Sequence, residues 1–153
     1  RAQWREFFSC EARGHDQHRS FILMGKPRVQ LEGSEGGQRL LWFGNGLDKL
    51  SRAEFIEHYT NCHGPLVAGY AKLTGLRSYF QVPDDQDDLC ETLRELGLGS
   101  APPPAVFGQL VMGAPPLSLA ALRDSRAAGR EISADEKRHI NFGDSMLLLV
   151  GNK

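Results

Sequence analysis

His63 has the clearest capacity for chemistry in this 153-residue chain, because imidazole is the side chain whose unperturbed titration lies near neutral pH and can take or return a proton. Tyr59 stands four residues before it, so a helix would place both on one stripe, and Gly64-Pro65 directly after it interrupts regular helical bonding. Backbone groups freed at such a break can hold a substrate or hold the imidazole itself. His63 therefore reads either as a general base or as a pin for the break. Farther on, Arg77, Tyr79 and Gln81 recur with period two, which puts them on one face of a strand. Tyr79 could donate to a ketone or quinone oxygen, Arg77 could hold a developing enolate or phenolate, and Gln109 on a later strand could orient either. The same residues would also serve in cross-strand pairs and interface salt bridges.

Other reactive side chains point to less. His58 and Cys62 have the i, i+4 spacing of two helical ligands, but a metal needs more, and no recognisable pattern supplies them. No metal is expected. His15, His18 and His139 stand alone in polar stretches. Cys10, Cys62 and Cys90 are odd in number and lack a C-x-x-C pair, which argues against a disulfide framework and for packing in a reducing compartment. Gly44-Asn45-Gly46 lacks the third glycine of a dinucleotide loop, and Ser51 explains the following helix start as a cap, so no nucleotide cofactor is expected.

Composition narrows the class. Eighteen Lys and Arg against 19 Asp and Glu give a net charge of -1, without the basic stripe of a nucleic-acid binder. The longest apolar run, 146–150, is far shorter than the roughly 18 residues of a membrane span, and no signal-peptide order opens the chain. A soluble, cytoplasmic protein with one core is expected, and 41% hydrophobic residues can build that core without a staple. The start at Arg1 rather than Met is expected of a processed, trimmed or partial product.

The elements that must position His63 and the tyrosines follow from pattern. The apolar run 39–44 predicts a buried strand. Ser51 with Glu54 three residues later predicts a capping box, opening a helix near 52 that Gly64-Pro65 kinks and Gly75 ends. Alternation predicts strands over 76–82, 105–112 and 145–150, and an initial strand over 21–24. A short helix is expected over 87–96. Another begins after Pro115 and Ser118, is loosened at Gly129, and restarts at the Ser133-x-x-Glu136 pattern. Residues 38–153 thus read β-α-β-(α)-β-α-β, the order of an α+β, ferredoxin-like split βαβ layout with a four-stranded antiparallel sheet. Residues 1–26 read as the helix-strand tail of a preceding repeat or as an N-terminal extension, and 27–37 as a linker, because 9–24 echoes the acidic helix end and apolar strand of 133–149.

Ser51-Arg52-Ala53-Glu54-Phe55 leading to Tyr59, then His63-Gly64-Pro65-Leu66, Gly75-Leu76-Arg77-Ser78-Tyr79 and the late Asp135-Glu136, resembles the EthD family of dimeric α+β barrel proteins. The resemblance covers about 38–153. It departs from the family at Ala105-Val106-Phe107-Gly108, where an Asp-Gly pair is usual, and in extra residues over 86–104. It implies a ferredoxin-like unit paired into a barrel, as a homodimer or as an intrachain pseudo-dimer, with Arg77, Tyr79 and Gln81 lining its interior. Catalytic roles for His63, Tyr59, Tyr79 and Arg77, with Gln81, Phe107 and Gln109 as substrate contacts, follow from it. So does cofactor-independent oxidation of a hydrophobic or aromatic small molecule, with His63 as base. A lyase or cyclase acting on a polyketide-like substrate and a non-catalytic ligand-binding or accessory protein are the alternatives. No cofactor is expected; haem, held by a histidine in some barrel relatives, is the alternative. Neither nucleic acid nor membrane is expected as a partner.

Overall fold

Five short stretches pair edge to edge in the computed structural model, which describes residues 20–34, 36–85, 91–93, 95, 99, 101–114 and 118–151. They are β1 (Arg28–Leu31), β2 (Gln38–Gly44), β3 (Leu76–Pro83), β4 (Val106–Met112) and β5 (Met146–Val150), joined antiparallel in the order β1-β3-β4-β2-β5. Between β2 and β3 run α1 (Arg52–His58), a π-helical turn (Tyr59–His63), α2 (Gly64–Gly69) and α3 (Ala71–Thr74). A long α4 (Leu119–His139) leads from β4 back to β5. The α+β, ferredoxin-like class expected from the sequence is what forms, with one strand more than expected.

The helix starts obey the local code. Ser51 caps α1 through the Glu54 amide while the Glu54 carboxylate returns to the Ser51 amide, closing both halves of the capping box. Gly75 ends α3 at φ 77°, the left-handed region that glycine enters without a Cβ clash. Ser118 caps α4, which then runs unbroken for 21 residues. The restart expected at Ser133 does not occur, because alanines and long polar side chains around Gly129 keep the helix favourable.

The register decides what faces the helices. Trp42 lies opposite Gly108 on one side and Leu147 on the other, so these three share the helix-covered face. Phe55, Tyr59, Val106 and Ile140 pack there with Trp42, and Val67, Leu76 and Tyr79 form a second cluster with Leu110, Met112 and Ile132. The other face carries a row of rings: Phe43 and Phe107 meet at a tilt with centroids 4.9 Å apart, with Phe80 5.9 Å from Phe107 and Phe21 5.8 Å from Phe43.

Three further sequence expectations change. The stretch 27–37 is not a bare linker, since β1 within it pairs with β3 through Val29 opposite Phe80. Residues 21–24 form no strand; the Met24 amide instead donates to Asp84 Oδ1 at 3.1 Å. The β3–β4 register slips between Leu76 and Ser78, so that Leu76 and Tyr79 face the helices together, as a bulge allows. The repeat motif over 1–19 and most of the 87–96 helix lie outside the described residues. No described helix is long and apolar enough to cross a membrane.

Candidate functional site

The π-helical turn creates the site. Its register joins the Gly64 amide to the Tyr59 carbonyl, and the carbonyl of Thr60 would next require the amide of residue 65, which is proline and has none. Gln30 Nε2, from β1, donates to that Thr60 oxygen at 2.7 Å. Gln81 Nε2, from β3, donates to the Tyr59 oxygen at 3.0 Å. The break is therefore held by two side-chain amides, and His63 is left for other work.

His63 is 5% exposed, and its Nδ1 lies 2.9 Å from Oδ2 of Asp135 on α4. An ionised carboxylate only accepts, so Nδ1–H donates and Nε2 keeps its lone pair. That Nε2 has no hydrogen-bond partner among the described residues. Burial depresses the His63 pKa below its ordinary 6.5, against the upward pull of Asp135, which keeps the ring neutral and basic near neutral pH. Burial works to raise Asp135, but hydrogen bonds from His63 and His58 outweigh it and hold the carboxyl below its usual value.

Asp135 gathers further imidazoles. His58 Nε2 lies 2.9 Å from its Oδ1, and His139 Nδ1 lies 2.9 Å from its backbone oxygen. The His58 and His139 rings stack at 3.4 Å. His58, Asp135 and His139 offer metal-ligand atoms within 4.8 Å of one another, yet each is engaged in these bonds, so the arrangement is that of a hydrogen-bonded cluster around one carboxylate. Cys62 is exposed, free and outside it.

A cavity of about 450 Å³ lies between the helices and the sheet, within the range of small-molecule sites. Leu40, Trp42, Val67, Leu76, Leu110 and Met112 supply apolar wall, and His63, Tyr59, Tyr79 and Glu136 bring polar groups to it. Phe142, Ser145 and the exposed Leu147 also line it. The tyrosines are directed by a relay. Gln30 Nε2 donates to Gln81 Oε1 at 2.7 Å, Gln81 Nε2 to the Tyr79 hydroxyl at 2.6 Å, and that hydroxyl to Tyr59 at 3.1 Å. The Tyr59 proton is thereby free to point elsewhere. Burial lifts the Tyr59 pKa well above its ordinary value and that of Tyr79 to about 12, so both remain neutral donors. Gly108 makes this packing feasible, since a Cβ there would stand 3.0 Å from the Tyr59 oxygen.

The expected site residues separate into three groups. His63, Tyr59 and Tyr79 meet in the cavity. Gln81 is fully buried behind them and orients Tyr79 rather than facing the cavity. Arg77 is exposed and donates to the Gly36 carbonyl at 2.6 Å; the bulge beside it turns it away from Tyr79. Phe107 and Gln109 lie on the opposite sheet face, opposite Phe43 and Leu41. The strand residues expected on one barrel-lining face are therefore split: Tyr79 and Gln81 lie under the helices, and Arg77, Phe107 and Gln109 lie away from the cavity. The sequence reading missed Gln30 and gave Asp135 and Glu136 no chemical part, although Pro65 signals that an orphaned carbonyl must find a donor.

No curated protein and no solved structure matches the chain. The family comparison matches residues 47–143 to the EthD domain, spanning the capped helix, the π turn, His63, β3, β4 and the Asp135-Glu136 pair. The chain belongs to the EthD family.

Proposed function

We propose that this protein is a small enzyme that encloses an apolar or aromatic, polyketide-like molecule under its helices and removes a proton from it with His63. The observation that carries the reading is a buried imidazole whose Nδ1 is fixed by Asp135 at 2.9 Å in the wall of an apolar cavity. A base works best when its pKa lies near the working pH and its orientation is set in advance. Tyr59, whose proton is left free because the Tyr79 hydroxyl donates to it, donates to the oxygen on which the anion collects. In the oxidoreductase form, the activated CH₂ becomes C=O while molecular oxygen is consumed and water leaves, with no resident cofactor. In the lyase or cyclase form the same anion attacks or eliminates within the substrate. The free Cys62 suits a reducing cytoplasm. Strand β5 is a sheet edge exposed along its whole length, Met146 to Val150, and a second copy or repeat laid against it would cover that edge.

The probe is 2-tetralone, whose benzylic C–H adjoins a carbonyl. His63→Ala is expected to slow its proton–deuterium exchange roughly 10²–10⁴-fold while leaving its affinity intact. Equal exchange with wild-type protein would falsify the base assignment and leave a ligand-binding or accessory role. Oxygen uptake during turnover selects the oxidoreductase form, and an unchanged anaerobic rate selects the lyase or cyclase form.

A further inference from the structure

Glu136 has no place in the reading above, yet it lines the same cavity as His63, Tyr59 and Tyr79. It follows Asp135 directly in α4, and the two carboxyls live differently. Asp135 is bonded to two imidazoles. No hydrogen bond or ion pair joins the Glu136 carboxyl to any described residue, so a half-buried carboxyl shares the cavity with leucines, isoleucines and a tryptophan and has no partner among the described residues. No lysine or arginine is among the described residues that line the cavity. A carboxylate in such a place is costly, and a carboxylic acid is not.

We propose that Glu136 is the proton donor that works with His63, and that the cavity therefore takes a neutral, apolar carbonyl compound and enolises it. The inference rests on the His63 reading and adds the acid half of the reaction and the class of substrate. In the step, His63 Nε2 takes the proton from the carbon next to the carbonyl. The C–H electron pair forms the C=C bond, the C=O π pair moves to oxygen, and the Glu136 O–H delivers its proton there. The products are a neutral enol, an imidazolium paired with Asp135, and a Glu136 carboxylate; exchange with water resets both groups. No oxidant is needed up to this point.

The surroundings favour the required protonation states. Burial, and then the negative charge of Asp135, raise the Glu136 pKa above its ordinary 4.5. Burial lowers that of His63. The apolar wall thus moves both groups toward their uncharged forms, which are the forms an acid and a base must have at the same pH. The titratable neighbours are Asp135, His58 and His139 in the cluster, with Tyr59 on the π turn and Tyr79 on β3. A ligand that already carries a carboxylate would meet Glu136 and Asp135 without a compensating cation, whereas a ketone oxygen meets two O–H donors, Glu136 and Tyr59. The preference for a neutral ligand follows from that difference.

The test uses the full chain in D₂O with 2-tetralone and, as its anionic counterpart, 2-naphthoate. Wild-type protein should bind the ketone more tightly than the carboxylate and accelerate loss of the benzylic proton signal. Glu136→Gln should bind the ketone with similar affinity, exchange it roughly 10²-fold more slowly, and lose the alkaline limb of the pH–rate profile, while Glu136→Asp keeps that limb. Full exchange in Glu136→Gln overturns the donor role and leaves the His63 base standing. Tighter binding of 2-naphthoate overturns the neutral-carbonyl class. Absence of ketone binding in every variant overturns both readings together.

Discussion

The two faces of one sheet carry opposite kinds of chemistry. On the helix side a buried polar line runs from Gln30 through Gln81 and Tyr79 to Tyr59, and stops at a cavity that His63 and Glu136 share. On the other side Phe43, Phe80 and Phe107 meet only as rings. Both faces come from the same strands, and their difference shows what a functional face costs. Every fully buried side-chain nitrogen and oxygen among the described residues has a partner, whereas the ring row needs none and gives only area and edge contacts. Fixing Tyr59 and His63 required Gln30 and Gln81, which are spent on backbone and hydroxyl groups rather than on a ligand.

That contrast can be broken residue by residue. The largest effect is expected from Asp135→Asn, which keeps the shape but removes the charge that orients His63 and favours its imidazolium. Exchange of 2-tetralone should fall roughly 10²-fold or more at unchanged ketone affinity; a fall of less than about threefold would mean that Asp135 only pins α4 to the turn. Gln81→Leu comes next. It removes one partner each from the Tyr79 hydroxyl, the Tyr59 carbonyl and the Gln30 amide, so denaturant unfolding should report a loss of about 2–3 kcal/mol, with slower exchange because the relay that directs Tyr59 is cut. Phe107→Ala on the far face should cost only about 1 kcal/mol of aromatic contact and leave exchange untouched. If Phe107→Ala slowed exchange as much as Gln81→Leu, the two faces would not be functionally separate.

Much of the scaffold could be read from the chain because its signals are local. Ser51 and Glu54 sit three apart and close their capping box; Gly75 ends its helix; the apolar runs become strands. His63 and Tyr59 were legible for the same reason, as neighbours across one turn beside Gly64-Pro65. The rest depends on long-range register. A single slip between Leu76 and Ser78 decides that Tyr79 looks toward helices and Arg77 away from them, and alternation cannot see a bulge. Asp135 reaches His63 across 72 positions, and Gln30 reaches Thr60 from a stretch rich in glycine that reads as linker. Such pairings are set by how α4 and β1 pack against the turn, which no short window contains.

The central claim is that His63 is held as a neutral base with Nδ1–H on Asp135 and Nε2 open to the cavity. Its folded pKa lies below the unfolded 6.5, so between those values the unfolded chain binds more protons, and this group's contribution to stability is complete above 6.5 and declines as pH falls below it. The most direct measurement is a pH titration of the imidazole nitrogens by ¹⁵N NMR in wild-type protein and Asp135→Asn. The account predicts an Nδ1–H tautomer for His63 at pH 7, with protonation only below 6.5. An Nε2–H tautomer, or an imidazolium persisting at pH 7, would contradict it.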